Sequence, residues 1–511
     1  MVLPDPLIVF AFLFAVGLLG ELLLAWRPAR RSSWLVAIAL LSTMLASGLA
    51  VGAWFSWLLV LFTIVSAYRA VNLLRLVEAR MDRRYLAAAY RRSAARLIVG
   101  QLALLAGWLA WRQWGDAAAA GQLALIGSGL ILMLAVLFLA VTLQRLWAAS
   151  RRPPVTRSKG LPTVSVLIPA RNETADLSAC LDSLLLSDYP KLEILVLDDC
   201  SRDKTPEIIR GYASRGIRFV GGRTTPKQWL AKNYAYHQLA EEASGETLLF
   251  MGVDIRFEPR SISLLVEEFL NRKLVMMSLL PVRRGQRLPG AVVQPMRYWL
   301  ELALPQKLSG HPPVLSTCWL ISRRAYRRYG GMAAVARTII AETYFARQAS
   351  AAKAYRLVRS HPGYPVTTIK SVRDQIDTAV RTRYPQVKRR PERVLALALM
   401  EGLGLLLPFG VTLYGLVADI RPAIWVMMFA AALLLALSHL AITILTNPVL
   451  WPLSTVSFPL IVFTELILLH VSLYLYEFGE VRWKGRNVCL PVMRVTAHLP
   501  PLPPPPPARS L

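Results

Sequence analysis

The sequence predicts an α/β domain held between two membrane-embedded helical blocks. Three observations lead there. The chain is 55% hydrophobic with a mean hydropathy of +0.43, and its apolar residues crowd the two ends. Within those ends, apolar runs of about 20 residues recur, the length that crosses a hydrocarbon core. Between them, from about residue 160 to 390, short β-branched runs alternate with helical ones, as in a parallel sheet wound with helices. The divisions are 1–152 for the first membrane block, 160–390 for the α/β domain, 394–478 for the second block and 479–511 for a tail.

In the first block, Leu7 to Trp26 is one span, too long for a signal-peptide core, and the cluster Arg27, Arg30, Arg31 follows it. Trp34 to Tyr68 is read as two helices turning near Gly48 to Ala53. A basic stretch with Arg69, Arg75, Arg80, Arg83, Arg84, Arg91, Arg92 and Arg96 has apolar residues at helical spacing, so a surface amphipathic helix is expected there. Leu97 to Trp111 and Gln122 to Trp147 complete five spans, closed by Arg145, Arg151 and Arg152. Basic loops stay in the cytoplasm. Five spans satisfy that rule, with the N-terminus outside and the α/β domain inside.

In the second block, Ala423 to Leu445 and Leu453 to Tyr476 are spans. Leu395 to Ala418 holds Glu401, Gly402, Gly404 and Pro408, so it is expected as a broken or interfacial helix. Two spans return the basic tail, with Arg482, Lys484, Arg486 and Arg494, to the cytoplasm; three would place it outside. Pro500 to Pro507 is a polyproline-type end. The net charge of +28 lacks the interleaved aromatics of an RNA-binding surface, so nucleic acid is not an expected partner. The arginines instead flank apolar runs, where they set topology and meet anionic lipid. Cys180, Cys200, Cys318 and Cys489 have neither metal-ligand spacing nor a disulfide pattern.

In the middle region Val164 to Ile168 is a buried strand, followed by Pro169-Ala-Arg-Asn-Glu173 and a helix through Leu177, Leu181 and Leu184. Leu192 to Leu197 is a second strand ending in Asp198-Asp199, Ile217 to Val220 a third, and Thr247 to Met251 another, ending near Asp254. Ligands of such sheets bind beyond the carboxyl ends of the strands, where these polar residues gather. Asp198 and Asp199 are acceptors for a base or ribose, Asp254 suits a divalent metal on a diphosphate, and Trp229 with Lys232 adds an aromatic wall and a phosphate-binding charge. Singly, each has an ordinary structural reading: a turn or helix-cap carboxylate, a core tryptophan, a solvated lysine.

Taken in order, they resemble the family 2 glycosyltransferases of GT-A fold. The resemblance is carried by Pro169 to Glu173, Asp198-Asp199, Trp229-Leu-Ala-Lys232, Val253-Asp254-Ile-Arg-Phe257, Gly330-Gly331 and Ala341-Glu342-Thr-Tyr-Phe-Ala-Arg347. It covers about 230 central residues, and within the family it is closest in look to the carotenoid and hopanoid type. Val481-Arg-Trp-Lys-Gly-Arg486 also looks like the ending of membrane-bound members.

The resemblance implies roles. Pro169, Ala170, Arg171 and Glu173 line the nucleotide pocket, Asp198 or Asp199 reads the base, and Lys232 approaches the phosphates. Asp254 matches the second acid of the Asp-x-Asp motif and touches the metal, Mg²⁺ or Mn²⁺; Gly252 stands where the first acid belongs. Ala231 replaces the usual glycine. In the base motif, Phe345 and Ala346 fix a register in which Glu342 replaces the catalytic Asp and Ala341 the Glu before it. The ordinary reading of Glu342 is a first-turn acid favoured by the helix dipole.

The implied activity is metal-dependent, inverting transfer of a hexose-type sugar from a nucleotide-sugar to a lipid or polyprenyl-type acceptor at the cytoplasmic face of a bacterial cell membrane. No Gln-x-x-Arg-Trp segment of processive synthases is present, so one sugar is expected per encounter. Gly252 and Ala341 leave open a non-catalytic nucleotide-sugar-binding relative. Glu401, Glu465, His439 and His470 leave open a transporter, though the sequence has no internal repeat.

Overall fold

The computed structural model describes residues 5–26, 33–78, 83–150, 160–284, 297–306, 310–360 and 365–488. Arg27, Arg30, Arg31, Arg80, Arg151, Arg152, Cys489, Arg494 and the proline-rich end lie outside the described residues. The chain opens with α1 Pro6–Trp26, α2 Ser33–Ala53, α3 Trp57–Glu78, α4 Arg83–Trp114 and α5 Ala117–Ser150. The α/β domain follows with β1 Val164–Ala170, α6 Leu177–Leu185, β2 Leu192–Asp198, α7 Thr205–Gly211, β3 Ile217–Gly221, α8 Ala231–Glu242, β4 Thr247–Met251, β5 Ile255–Phe257 and α9 Ser261–Asn271. It continues through β6 Met276–Leu280, β7 Val282–Arg283, α10 Arg297–Ala303, β8 Cys318–Ser322, α11 Arg323–Arg328, α12 Glu342–Ala351, β9 Tyr355–Arg359, β10 Val366–Thr368 and α13 Val372–Gln386. The second block has α14 Pro391–Leu399, a π-helical stretch Met400–Leu406, α15 Leu407–Tyr414, α16 Pro422–Thr446, α17 Trp451–Val456 and α18 Phe458–Glu477. The short strands β11 Arg482–Trp483 and β12 Arg486–Asn487 close the described chain.

The domain is a seven-stranded sheet in the order β3-β2-β1-β4-β8-β6-β9. β3, β2, β1 and β4 are parallel. The sheet is mainly parallel, as expected, with one exception: β8 runs antiparallel to both β4 and β6. The central strands are apolar on both faces because both are covered. Val164, Val166 and Ile168 pack with Leu177, Leu181 and Leu184 of α6 on one face. Leu167, Leu195 and Leu197 pack with Leu239 of α8 and Phe345 of α12 on the other.

Among the described residues, eight helices are long and apolar enough to cross a membrane. The basic stretch expected as a separate surface helix is instead shared between α3 and the unbroken α4. The reason is that its first two arginines have buried partners. Arg69 Nε meets Glu21 Oε1 at 3.0 Å, and Arg75 Nε meets Glu477 Oε2 at 2.9 Å. Two histidines and an acid from the sequence's polar set are also engaged: Glu465 pairs with Arg383, His470 bonds Tyr68, and His439 packs on Phe458.

The domain is rooted in the bundle rather than resting on it. Trp299 of α10 is 1% exposed, edge-on to Phe138 at 5.3 Å, and donates to Ser438 Oγ at 3.0 Å. Arg145 of α5 donates to Glu301 O at 2.9 Å. At the domain's far boundary Arg389 Nη2 pairs with Glu477 Oε1 at 3.2 Å. Glu477 thus joins α3, the segment before α14 and the end of α18, with Ser93 and Arg96 of α4 reaching Glu392 beside it.

Glu477→Ala leaves Arg75 and Arg389 buried without their carboxylate, a change that costs about 3–5 kcal/mol. The detergent-solubilised variant is expected to melt well below the parent, whereas Glu480→Ala, at an exposed ion pair, leaves the melting temperature nearly unchanged. Equal melting of the Glu477 variant and the parent would show that this junction does not hold the blocks together.

Candidate active site

The site is built at the carboxyl ends of β1, β2 and β4. After β1 and β2 the chain turns sharply, with Asn172 at φ 51°, a left-handed conformation asparagine adopts readily, and Cys200 at φ 55°, where a cysteine is held only if its surroundings enforce it. The enforcement is visible. Asp199 N donates to Ala170 O at 2.8 Å, and Arg171 Nη1 donates to Cys200 O at 2.7 Å and to Asp199 O. Asn172 N and Glu173 N donate to Ser201 Oγ and Thr205 Oγ1 at 3.1 and 2.9 Å. Asp198 accepts from Ser201 N at 3.2 Å, so it caps its own turn. Pro169 and Ala170 are strand residues, Ala170 fully buried.

After β4, Asp254 Oδ2 accepts from Thr368 Oγ1 at 3.0 Å and its carbonyl accepts from Ile369 N at 3.1 Å. Its carboxylate folds back over Gly252: a Cβ there would lie 2.5 Å from Asp254 Oδ1. The glycine in place of the first acid therefore makes room for this pose. Lys232, in the first turn of α8, lies over the Tyr236 ring at 5.6 Å, and Tyr236 donates to Met251 O at 3.0 Å. Glu342 opens α12 and is only 4% exposed. A solvated first-turn acid would not be buried in this way. Burial raises the Tyr236 phenol above its ordinary range, and the negative charges of Asp254 and Glu342 add to the rise. Asp254 also adds to the rise of Glu173, which burial drives and Lys484 opposes. Among the described residues no three His, Cys, Asp or Glu side chains cluster as a metal site.

Three functional candidates come from a place where the sequence reading gave no roles. β11 and β12 form a hairpin whose two-residue turn, Lys484 at φ 47° and Gly485 at φ 78°, is the type that matches strand twist. Lys484 Nζ meets Glu173 Oε1 at 3.0 Å, and Arg486 Nη1 meets Asp199 Oδ2 at 2.6 Å. Burial raises the Asp199 carboxyl, and Arg486 pulls it back. Beside the hairpin is a cavity of about 610 Å³, lined in part by Lys227, Trp229, Lys232, Arg381, Trp483 and Arg486. Of the residues given ligand-binding roles from sequence, Trp229 and Lys232 line it. Trp229 is stacked on His237 at 4.9 Å and still faces the cavity. The sequence signal for the hairpin was the Trp-Lys-Gly-Arg ending itself.

Residues 165–330 match the model of glycosyl transferase family 2. That is about a third of the chain, and over it the central domain is similar to the family 2 glycosyltransferases. Its mixed α/β sheet agrees with the GT-A fold that the sequence motifs implied. The carotenoid side of the resemblance is met as well. Over 93 residues the chain is 34% identical to a 4,4'-diaponeurosporenoate glycosyltransferase of Staphylococcus haemolyticus, covering 18% of this chain and 24% of that one. It is 28% identical over 94 residues to the Staphylococcus aureus protein of the same name, with the same coverage of each chain. The match thus spans about a quarter of those relatives' length. Among solved structures, the mannosyltransferase PcManGT from Pyrobaculum calidifontis, in complex with GDP-Man and Mn²⁺, is 17% identical, with 68% of this chain and 97% of that one covered at a TM-score of 0.38. Glucosyl-3-phosphoglycerate synthase from Mycobacterium tuberculosis is 22% identical, with 43% and 73% covered at 0.27.

The described cysteines separate cleanly. Cys200 is exposed on the strained turn after β2, while Cys180 and Cys318 are fully buried, and burial pushes the Cys180 thiol up to about 12. In the folded protein Cys200 should react with a thiol reagent at least about 100-fold faster than either buried cysteine, as followed by peptide mass spectrometry. Comparable labelling of Cys180 would mean that α6 does not pack on the sheet as described.

Proposed function

We propose that this protein transfers a sugar from a nucleotide-sugar donor to a lipid acceptor hydroxyl or carboxyl, with inversion, one sugar per encounter. The observation that carries this is the cationic, tryptophan-walled cavity at Lys232, in a domain that holds Asp254 by a hydrogen bond at the end of β4 and buries Glu342 at the start of α12. In the reaction the acceptor oxygen attacks the sugar's anomeric carbon and loses its proton to the Glu342 carboxylate. The bond from that carbon to the diphosphate oxygen breaks, and the nucleoside diphosphate leaves with the electron pair. An acceptor that is already an anion needs no base, so dependence on Glu342 also reports on acceptor class.

Asp254 offers hard oxygen donors and stands as a single acid, which fits Mg²⁺ or Mn²⁺ sharing its shell with phosphate oxygens and water. Such an ion, when bound, would neutralise charge on the leaving diphosphate. Glu173 contributes to the same anionic field, and Lys232 supplies a countercharge to the phosphates.

The membrane placement is part of the proposal. The segment entering the second helical block and the residue leaving it, Arg389 and Glu477, are ion-paired, and the hairpin that follows touches the site. Entry and exit on one side require an even number of crossings, which favours two spans among the three apolar helices of this block. With five preceding spans the domain lies on the side of the arginine-rich ends of α3 and α4, the cytoplasmic side of a bacterial cell membrane by the charge rule. The apolar bundle under the domain, together with relatives named for a carotenoid, supports a lipid acceptor.

Three variants test the reading. Asp254→Asn is expected to abolish the divalent-dependent part of UDP or GDP binding measured by calorimetry; binding that is the same with and without chelator in the parent would remove the metal from the mechanism. Glu342→Gln keeps size and hydrogen bonding. It should leave nucleotide affinity within about twofold and cut sugar transfer into membrane lipid extract at least about 100-fold, while Glu342→Asp retains activity. Transfer at the parental rate in Glu342→Gln would place the base elsewhere or identify an anionic acceptor. Donor binding with no transfer by the parent or by Glu342→Asp would favour the non-catalytic relative, for which Gly252 in place of the first acid is the specific observation.

A further inference from the structure

The C-terminal hairpin is tied to the first two motif loops by opposite charges. Lys484 Nζ, besides meeting Glu173, donates to Asn172 O at 3.1 Å. Arg171 Nε donates to Lys484 O at 2.9 Å. The Arg486 guanidinium spans from Asp199 Oδ2 at 2.6 Å to Thr225 Oγ1 at 3.4 Å, so it bridges the end of β2 and the loop after β3. Asp199 is buried, with its side chain 6% exposed, and Arg486 is its ion partner. Removing that partner would leave a buried charge uncompensated, so the hairpin's position is specified. Only three residues separate β11 from Phe478, the first residue after α18, and they give it little freedom to wander.

The same hairpin lines the 610 Å³ cavity through Trp483, Arg486, Asn487 and Val488. Lys227, Trp229 and Lys232 line it as well. No Asp or Glu is among the described lining residues. A volume of this size is typical of small-molecule sites of about 300–1,000 Å³. Cations from three separate segments with two indole rings suit one ligand chemistry in particular: a flat heterocycle joined to two phosphates. Phosphate recognition by a guanidinium held in a fixed orientation is the strong case of a charge-assisted hydrogen bond.

We infer that the hairpin is a wall of the donor site, with Trp483 and Arg486 contacting the nucleoside diphosphate of the nucleotide-sugar. This rests on the glycosyl-transfer reading above and adds to it residues outside the family 2 span. Asp199 is then a positioning residue: it aims Arg486 rather than reading the base. Lys484 and Arg486 also cancel the charge of Glu173 and Asp199, which would otherwise repel an entering diphosphate.

The test uses full-length protein in detergent, with UDP and GDP in Mg²⁺ as probes, measured by calorimetry at two salt concentrations. Arg486→Gln should weaken the tighter of the two nucleotides about ten- to a hundredfold, the range of one charge-assisted hydrogen bond, and flatten the salt dependence. Arg486→Lys should recover part of the affinity and most of the salt dependence. Lys232→Gln, in the same cavity but on α8, should weaken binding independently. Unchanged or tighter binding in Arg486→Gln, with Lys232→Gln weakened, would overturn the inference and make the hairpin a bystander or a plug. If neither variant changes binding, the cavity is not the donor site and the inference falls, while the Asp254 and Glu342 tests still judge the reaction. A readout that keeps the native hairpin ions is thiol labelling of Asn487→Cys in a Cys200→Ser, Cys489→Ser background: nucleotide should slow it several-fold, and absence of protection overturns the assignment.

Discussion

The constraint on which the rest of the structure depends is the buried carboxylate of Glu477. It is the last residue of the last long helix, and it holds guanidinium groups from α3 and from the segment leading into α14. Three stretches far apart in sequence meet there in a place where neither partner can be left alone. Because they meet, the first helical block, the second block and the catalytic-type domain share one junction. The chain that leaves Glu477 can travel only a short distance, and it arrives at the carboxyl ends of β1 and β2.

That arrival addresses an electrostatic problem inherent in the motif loops. Glu173, Asp198, Asp199 and Asp254 gather in one mouth, and the sheet topology leaves them no choice, since each follows a strand of the same parallel set. An anionic field of this kind suits a divalent ion and opposes a diphosphate. The countercharges come from elsewhere: Lys232 from the first turn of α8, Lys484 and Arg486 from beyond the second membrane block. The raised Glu173 and Asp199 carboxyls, each pulled down by a hairpin cation, are the signature of this arrangement.

What the sequence revealed and what it hid follow from the range of the interactions. The strand runs at Val164 and Leu192, the strand-end acids and the long apolar helices were legible because period, composition and local turn chemistry report on neighbours in sequence. β8 was not read, since its antiparallel place between β4 and β6 depends on partners about 40 to 70 residues away. The arginines of α3 were read as topology markers by composition. Their burial depends on Glu21 and on Glu477, the latter about 400 residues distant. Likewise Trp483-Lys-Gly-Arg486 was visible as a family-like ending, but its contact with Asp199 lies across more than 280 residues and leaves no periodic trace.

The same long-range logic bears on Gly252. In a family built around two acids at the end of β4, loss of the first would ordinarily weaken the hold on the donor's phosphates. Here the glycine lets Asp254 fold back onto Thr368 Oγ1, a neighbour from β10. The remaining acid is thereby oriented by a hydrogen bond rather than by a second carboxylate, which lowers the negative charge at the end of β4 by one. On the proposed reading, one acid fewer and cations added from the tail would shift part of the work of holding a diphosphate from ion coordination toward guanidinium and ammonium contacts. On that account the departure at Gly252 and the hairpin at Arg486 are two sides of one charge balance, and each makes physical sense of the other.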